Sequence, residues 1–167
     1  FYSTVVTQAM YAEFEQRTHA TIEDGTPLTL DVLNELWGEL FAKYTPDVGV
    51  SDSVRIRWSR IPHFYRAFYV FQYATGMSAA ITIARALRDE GEPARERYLT
   101  MLGAGGSDYP MEILKRAGVD LTTPDPVRIA LEEFAATITE MERLAADGVL
   151  EASVKAAAEA ATPDHDA

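Results

Sequence analysis

The sequence predicts an all-α protein, a multi-helix bundle, on three observations. Apolar residues recur at helical spacing through nearly every segment. Helix-start and helix-stop residues punctuate the chain, leaving short connections and no internal repeats. The one alternating run, with Val54, Ile56 and Trp58 between Arg55 and Arg57, is short and has no evident partner strand, so a short helix or an extended linker is expected there.

Taken in order, the first helix runs from about Tyr2 to Ile22 on the spacing of Val5, Val6, Ala9, Met10 and Phe14, and stops at Asp24-Gly25. Thr29 then N-caps a second helix, LDVLNELWGELFAKY, whose Leu33, Leu36, Trp37, Leu40 and Phe41 share a stripe. Thr45-Pro46-Asp47 breaks it. A long helix follows from about His63 to Asp89, closed by Gly91. PARERYLTMLGAGG is a short helix with Pro93 in its first turn and a glycine ending. Ser107-Asp108-Tyr109-Pro110 caps MEILKRAG, and Thr123 caps DPVRIALEEFAATITEMERLA, which buries Ile129, Leu131, Phe134, Ile138, Met141 and Leu144. Residues 1–147 form the helical part, and 148–167 an acidic, alanine-rich tail.

The long helix raises the question of a membrane. Ala67 to Ala84 contains 18 uncharged residues, flanked by Arg66 and Arg85, which is close to the length of a spanning helix. Gln72, Thr75, Ser78 and Thr82 interrupt it, and every neighbouring helix is amphipathic. A central apolar helix buried by the helices around Leu36, Ile113 and Phe134 is therefore the expectation, and no membrane partner.

Charge narrows the functions. With 167 residues, 47% hydrophobic, the chain can bury a core as one domain or the end of a larger one. Its 26 acidic against 15 basic residues give a net charge of −11, which argues against a nucleic-acid partner. Without cysteine it has no disulfide or thiolate metal site, and a cytoplasmic location is the simple reading. His19, His63 and His165 are far apart and no HExxH occurs, so no metal site is expected in this chain. It opens on Phe1 inside helical spacing, which reads as a piece of a longer protein.

The residues with chemistry lie at the start of the long helix. Tyr65, Tyr69 and Tyr73 are four apart, so a continuous helix stacks them on one face, with His63 at its N-terminal end. Such a row is either a core in which each hydroxyl finds a partner, or a set of donors facing a cleft.

RIPHFYRAFYVFQYATG and LGAGGSDYPMEILKRAGVDLTTPDP resemble the C-terminal region of oligoendopeptidase F and its relatives among the thimet-oligopeptidase-like zinc metallopeptidases. QAMYAEFEQRTH and GTPLTLDVLNELWGELFAKYTPD match the same pattern in order and spacing, so the resemblance spans Phe1 to about Leu144. It implies the C-terminal part of a zincin-like helical peptidase domain that hydrolyses short peptides and packs against the remainder of the peptidase chain. It implies Zn²⁺ held by an HExxH helix and a further glutamate outside this chain. His63 and Tyr69 are then the catalytic donors. Tyr65, Tyr73 and the loop glycines Gly105 and Gly106 are substrate contacts. Relatives often carry a further tyrosine where Arg66 and Phe71 stand here. The alternative is a stand-alone helical domain that binds peptides or a partner without catalysis.

Overall fold

The structure is a computed structural model that describes residues 1–149; the tail expected at 148–167 lies outside the described residues from 150 onward. Among the described residues it is helical throughout. The helices are α1 (Val6–Glu23), α2 (Leu30–Tyr44), α3 (Asp52–Arg55), α4 (Phe71–Glu90), α5 (Glu92–Gly103), α6 (Pro110–Arg116) and α7 (Asp125–Ala146). Two 3₁₀ turns, Arg57–Arg60 and Pro62–Tyr65, link α3 to the segment before α4.

The predicted punctuation explains most boundaries. The Thr29 hydroxyl accepts the Val32 N–H at 3.3 Å and starts α2. Gly25, at φ +83°, lets the chain turn sharply after α1. The alternating arginine run becomes α3 and the first 3₁₀ turn, as the short-helix expectation had it. Thr123 does not cap α7: its hydroxyl donates to the Asp120 carbonyl at 3.0 Å, and Pro124 opens the helix without a side-chain cap.

Two apolar clusters hold the bundle. In the first, Met10 and Phe14 of α1 meet Trp37, Leu40 and Phe41 of α2, and Trp58, Ile61 and Phe64 pack in from the 3₁₀ turns. The indole N–H of Trp58 donates to Asn34 Oδ1 at 2.9 Å, tying the turns to α2. In the second, Ala79 and Ile83 of α4 pack with Ala117 and Val119, joined by Leu87, Tyr98, Met101, Leu114 and Leu121. Helix α4 lies against α1, α5 and α7.

Two expectations about the long helix need correction. It starts at Phe71, not His63. Nor is it buried all round or packed on the Leu36 helix: Phe71, Gly76, Ala80 and Ala84 line an open apolar groove of about 820 Å³, facing Met101 and Leu102 of α5. Gly76, Ala80 and Ala84 are small, so this face of the stretch lacks charge without filling a core. On α7, Leu131, Ile138 and Met141 are similarly exposed rather than buried. Among the described residues no helix is long and apolar enough to cross a membrane.

Candidate functional site

The predicted row of tyrosines depends on an unbroken helix from His63 to Tyr73, and two local features prevent it. Phe64 is drawn into the first cluster, with its ring 5.1 Å from Phe14, 5.6 Å from Tyr11 and 6.2 Å from Trp37. This fixes the Pro62–Tyr65 turn as 3₁₀. Then Phe68 takes φ +56°, in the left-handed region, and the chain reverses before α4 begins. A side chain with a Cβ pays about 1–2 kcal/mol for that conformation.

The break sends the four expected side chains to different places. Tyr65 is 84% exposed and stands apart from the others. His63, Tyr69 and Tyr73 come together instead. The His63 ring stacks on Tyr69, with centroids 5.7 Å apart and planes at 10°, and meets Tyr73 edge-on at 5.7 Å. His63 Nε2 lies 3.2 Å from the Tyr73 hydroxyl, which in turn lies 3.5 Å from the Tyr69 hydroxyl as its donor. With the proton on Nε2, the order of donation is His63 to Tyr73 to Tyr69. The Tyr69 O–H is then free to donate to something outside the cluster. The Tyr69 hydroxyl, and secondarily burial, pushes the Tyr73 phenol above the usual tyrosine range, so Tyr73 stays protonated at neutral pH. The Arg66 guanidinium sits 5.9 Å over the Tyr69 ring.

Neighbours on both sides fix Tyr69. Val70 is fully buried. Phe68 is held from α1, where its N–H donates to Glu15 Oε1 at 2.9 Å and its ring lies 4.6 Å from the His19 ring. Glu15 and His19 are four apart and so share a face of α1. Sequence reasoning passed over both as site residues; the signal was their i, i+4 spacing in EFEQRTH, one of the segments carrying the family resemblance.

Gly105 and Gly106 sit on the exposed connection from α5 to α6. Gly105, at φ +53°, meets the need for a left-handed turn residue, and nothing lies within 4 Å of where a side chain would start at either glycine. Among the described residues no group of three or more histidines or carboxylates could hold a metal ion, so the zinc that the resemblance implies does not fit these residues.

Comparison with known proteins finds relatives of the chain as a whole. The model of "Peptidase family M3" matches residues 2–133. Oligopeptidase PepF of Bacillus subtilis (strain 168) is 46% identical over 145 residues, covering 86% of this chain and 22% of the relative. The plasmid oligoendopeptidase F of Lactococcus lactis subsp. cremoris is 42% identical over 150 residues, covering 89% of this chain and 25% of the relative. The crystal structure of oligoendopeptidase-F from Enterococcus faecium superimposes with a TM-score of 0.84 at 43% identity, over 88% of this chain and 28% of that one. The chain spans about a quarter of the length of the curated relatives it matches.

Proposed function

The chain belongs to peptidase family M3, and on that premise we propose that it is the C-terminal segment of a zinc-dependent, cytoplasmic oligoendopeptidase that cleaves short peptides. In this reading the zinc and its ligands belong to the remainder of the peptidase chain, and this segment supplies donors to the substrate. The observation that carries the reading is the meeting of His63, Tyr73 and Tyr69 through contacts of 3.2 and 3.5 Å, an arrangement that, with the His63 proton on Nε2, leaves the Tyr69 hydroxyl proton unused within the cluster.

When a peptide carbonyl becomes tetrahedral, negative charge develops on its oxygen. A donor already in place stabilises that charge without reorganising. Tyr69 is such a donor. Tyr73 keeps the Tyr69 oxygen hydrogen-bonded, which sets the direction of the remaining proton. His63 holds Tyr73 and stacks under Tyr69. Tyr65, highly exposed, and the Gly105-Gly106 loop contact the peptide away from the reacting bond.

The test is kinetic, on the whole enzyme. Tyr69→Phe keeps the ring and loses the hydroxyl, so kcat should fall by about 10²-fold. KM should change little, because the bond is made mainly in the transition state. Tyr65→Phe should act on KM alone. Near-normal kcat/KM in both Tyr69→Phe and His63→Ala would leave the cluster a packing feature. This chain on its own should bind no stoichiometric zinc and hydrolyse no peptide, which metal analysis after dialysis and a fluorogenic-peptide assay would check.

A further inference from the structure

We propose that Glu15 is a positioning residue for Tyr69, acting through the backbone of Phe68; this rests on the reading above that Tyr69 donates to the substrate.

Phe68 has no intrinsic reason to adopt a positive φ. The residues that do so readily are glycine, asparagine and aspartate, and none occurs from Arg66 to Val70. Something outside the turn must hold it. The fully buried Val70 fixes the exit of the turn but not its direction at Phe68. The group that does so comes from 53 residues earlier in the chain: Glu15, 5% exposed, accepts the Phe68 N–H at 2.9 Å. A hydrogen bond to a carboxylate is about twice as strong as one between neutral groups. It anchors the peptide that enters Phe68, while the buried Val70 and the His19 contact to the Phe68 ring anchor what leaves it, so the positive φ is the torsion held between two fixed ends and Tyr69 is placed by both.

The identity of the residue supports a role beyond packing. Glu15 lies on the buried face of α1 beside Phe14 and Thr18. A methionine there would fill similar space without the cost of desolvating a carboxylate, but it would leave the Phe68 N–H without its acceptor. Retaining the carboxylate gains a fixed backbone direction one residue before the hydroxyl proposed to meet the substrate. His19, one turn further along α1, covers the Phe68 ring and closes the same clasp from its other side.

Three variants of the whole enzyme separate this from a packing role. Glu15→Met keeps volume and removes the acceptor. It should lower kcat by about tenfold to a hundredfold, the scale expected for a misplaced catalytic group, with KM within about threefold of wild type and a modest drop in Tm from the lost hydrogen bond. Glu15→Gln retains an amide oxygen and should stay within about threefold of wild-type kcat. Adding Phe68→Asn to Glu15→Met should recover at least about fivefold, because asparagine holds the left-handed conformation unaided. Amide exchange at Phe68, followed alongside, should be slow in wild type and Glu15→Gln and fast in Glu15→Met. The proposal is overturned if Glu15→Met leaves kcat and Phe68 exchange unchanged. It is equally overturned if Glu15→Met lowers kcat as much in a Tyr69→Phe background as in wild type, since additive effects mean independent action. Should Tyr69→Phe prove harmless while Glu15→Met still frees the Phe68 amide, the clasp stands and the reading of Tyr69 as the donor is what fails.

Discussion

The two apolar clusters differ in what they are made of, and the candidate site lies between them. The α1–α2 cluster is aromatic and the more closed of the two: Trp37 and Leu40 are almost wholly buried and Phe14 meets Trp37 edge-on at 5.2 Å, although a pocket of about 460 Å³ opens beside Met10, Trp37 and Phe41. The second cluster is aliphatic, with alanines, Ile83 and Val119 at its centre and its larger partners only partly buried, and elsewhere in the α4–α7 half Leu102, Leu131 and Met141 are about half exposed. Surface ion pairs, Arg85 with Glu132 at 3.0 Å and Arg88 with Glu133 at 2.8 Å, border the packed contact between α4 and α7. Such pairs are worth little individually. His63 and Tyr69 are anchored on the closed half through Phe64 and Phe68, whereas Tyr73 belongs to the first turn of α4. The rigid half therefore sets the positions of two members, and the third is carried on the helix that lines the open groove.

The contrast predicts where mutation hurts most. Trp37→Ala should cost about 3–5 kcal/mol, as expected for a large aromatic lost from a close-packed site. Under the proposed function it should also depress peptidase activity of the whole protein, because Phe64 leans on Trp37 at 6.2 Å and His63 adjoins Phe64. Urea denaturation is the measurement, and a loss below about 1 kcal/mol would break the comparison at its strong end. In the other half, Ile83→Ala should cost only about 2 kcal/mol, the low end for its type. Ile83 already borders the groove, so little new cavity is made.

A smaller effect should follow pH. On the seam between α1 and α2, the Tyr44 hydroxyl donates to Glu13 Oε2 at 2.8 Å, and Lys43 pairs with the same carboxylate at 2.8 Å. Burial, then the hydrogen bond and charge of Glu13, pushes the Tyr44 phenol up to about 12. The Lys43 hydrogen bond foremost, with burial opposing it, holds the Glu13 carboxyl below the usual carboxylate range. For Tyr44 the folded value lies above the ordinary 10.0, so its stabilisation is complete below pH 10 and is lost as the pH rises toward about 12. For Glu13 the folded value is depressed, so its stabilisation is present at neutral pH and lost as acid protonates it below the ordinary 4.5. Tyr44→Phe should therefore flatten the alkaline limb of the stability curve by about 0.5 kcal/mol, the pair being partly screened by solvent. An unchanged alkaline limb would remove this seam from the features that distinguish the closed half.

How much of this was legible in the sequence follows the same division. Helix spacing and caps gave α2 to the residue and the end of α1 to within one, because Thr29, Gly25 and the Leu33–Phe41 stripe act locally, whereas α1 starts at Val6 and not at Tyr2. The site was half legible. His63, Tyr69 and Tyr73 do meet, but the helix that was to align them is absent, and Tyr65 falls outside the cluster. No local signal marks the left-handed turn at Phe68; it exists because Glu15 and Phe14, far off in sequence, pull on the two sides of the segment. Long-range contacts override local periodicity in this way whenever a buried partner outweighs one helical turn. The uncharged run misled for a related reason. Absence of charge suggests burial, but Gly76, Ala80 and Ala84 are small residues bordering an open groove.

The smallest expected effect tests the open half most directly. Leu131 was expected in the core of α7 on its spacing with Phe134 and Ile138, yet it is 47% exposed. It shares a shallow groove of about 490 Å³ with Val127 and Ala135. A leucine that already meets water over half its surface has little transfer free energy to lose. Its neighbours on the same turn, Arg128 and Glu132, are paired with each other and leave a lysine free to extend into solvent. Leu131→Lys should therefore change the unfolding free energy of the chain by no more than about 0.5 kcal/mol in either direction, the range of ordinary surface substitutions. Thermal and urea unfolding of the two variants in parallel would read it. A loss above about 1.5 kcal/mol, approaching that of a fully buried leucine, would mean that this face is covered in solution, and the contrast between a closed and an open half would have to be withdrawn.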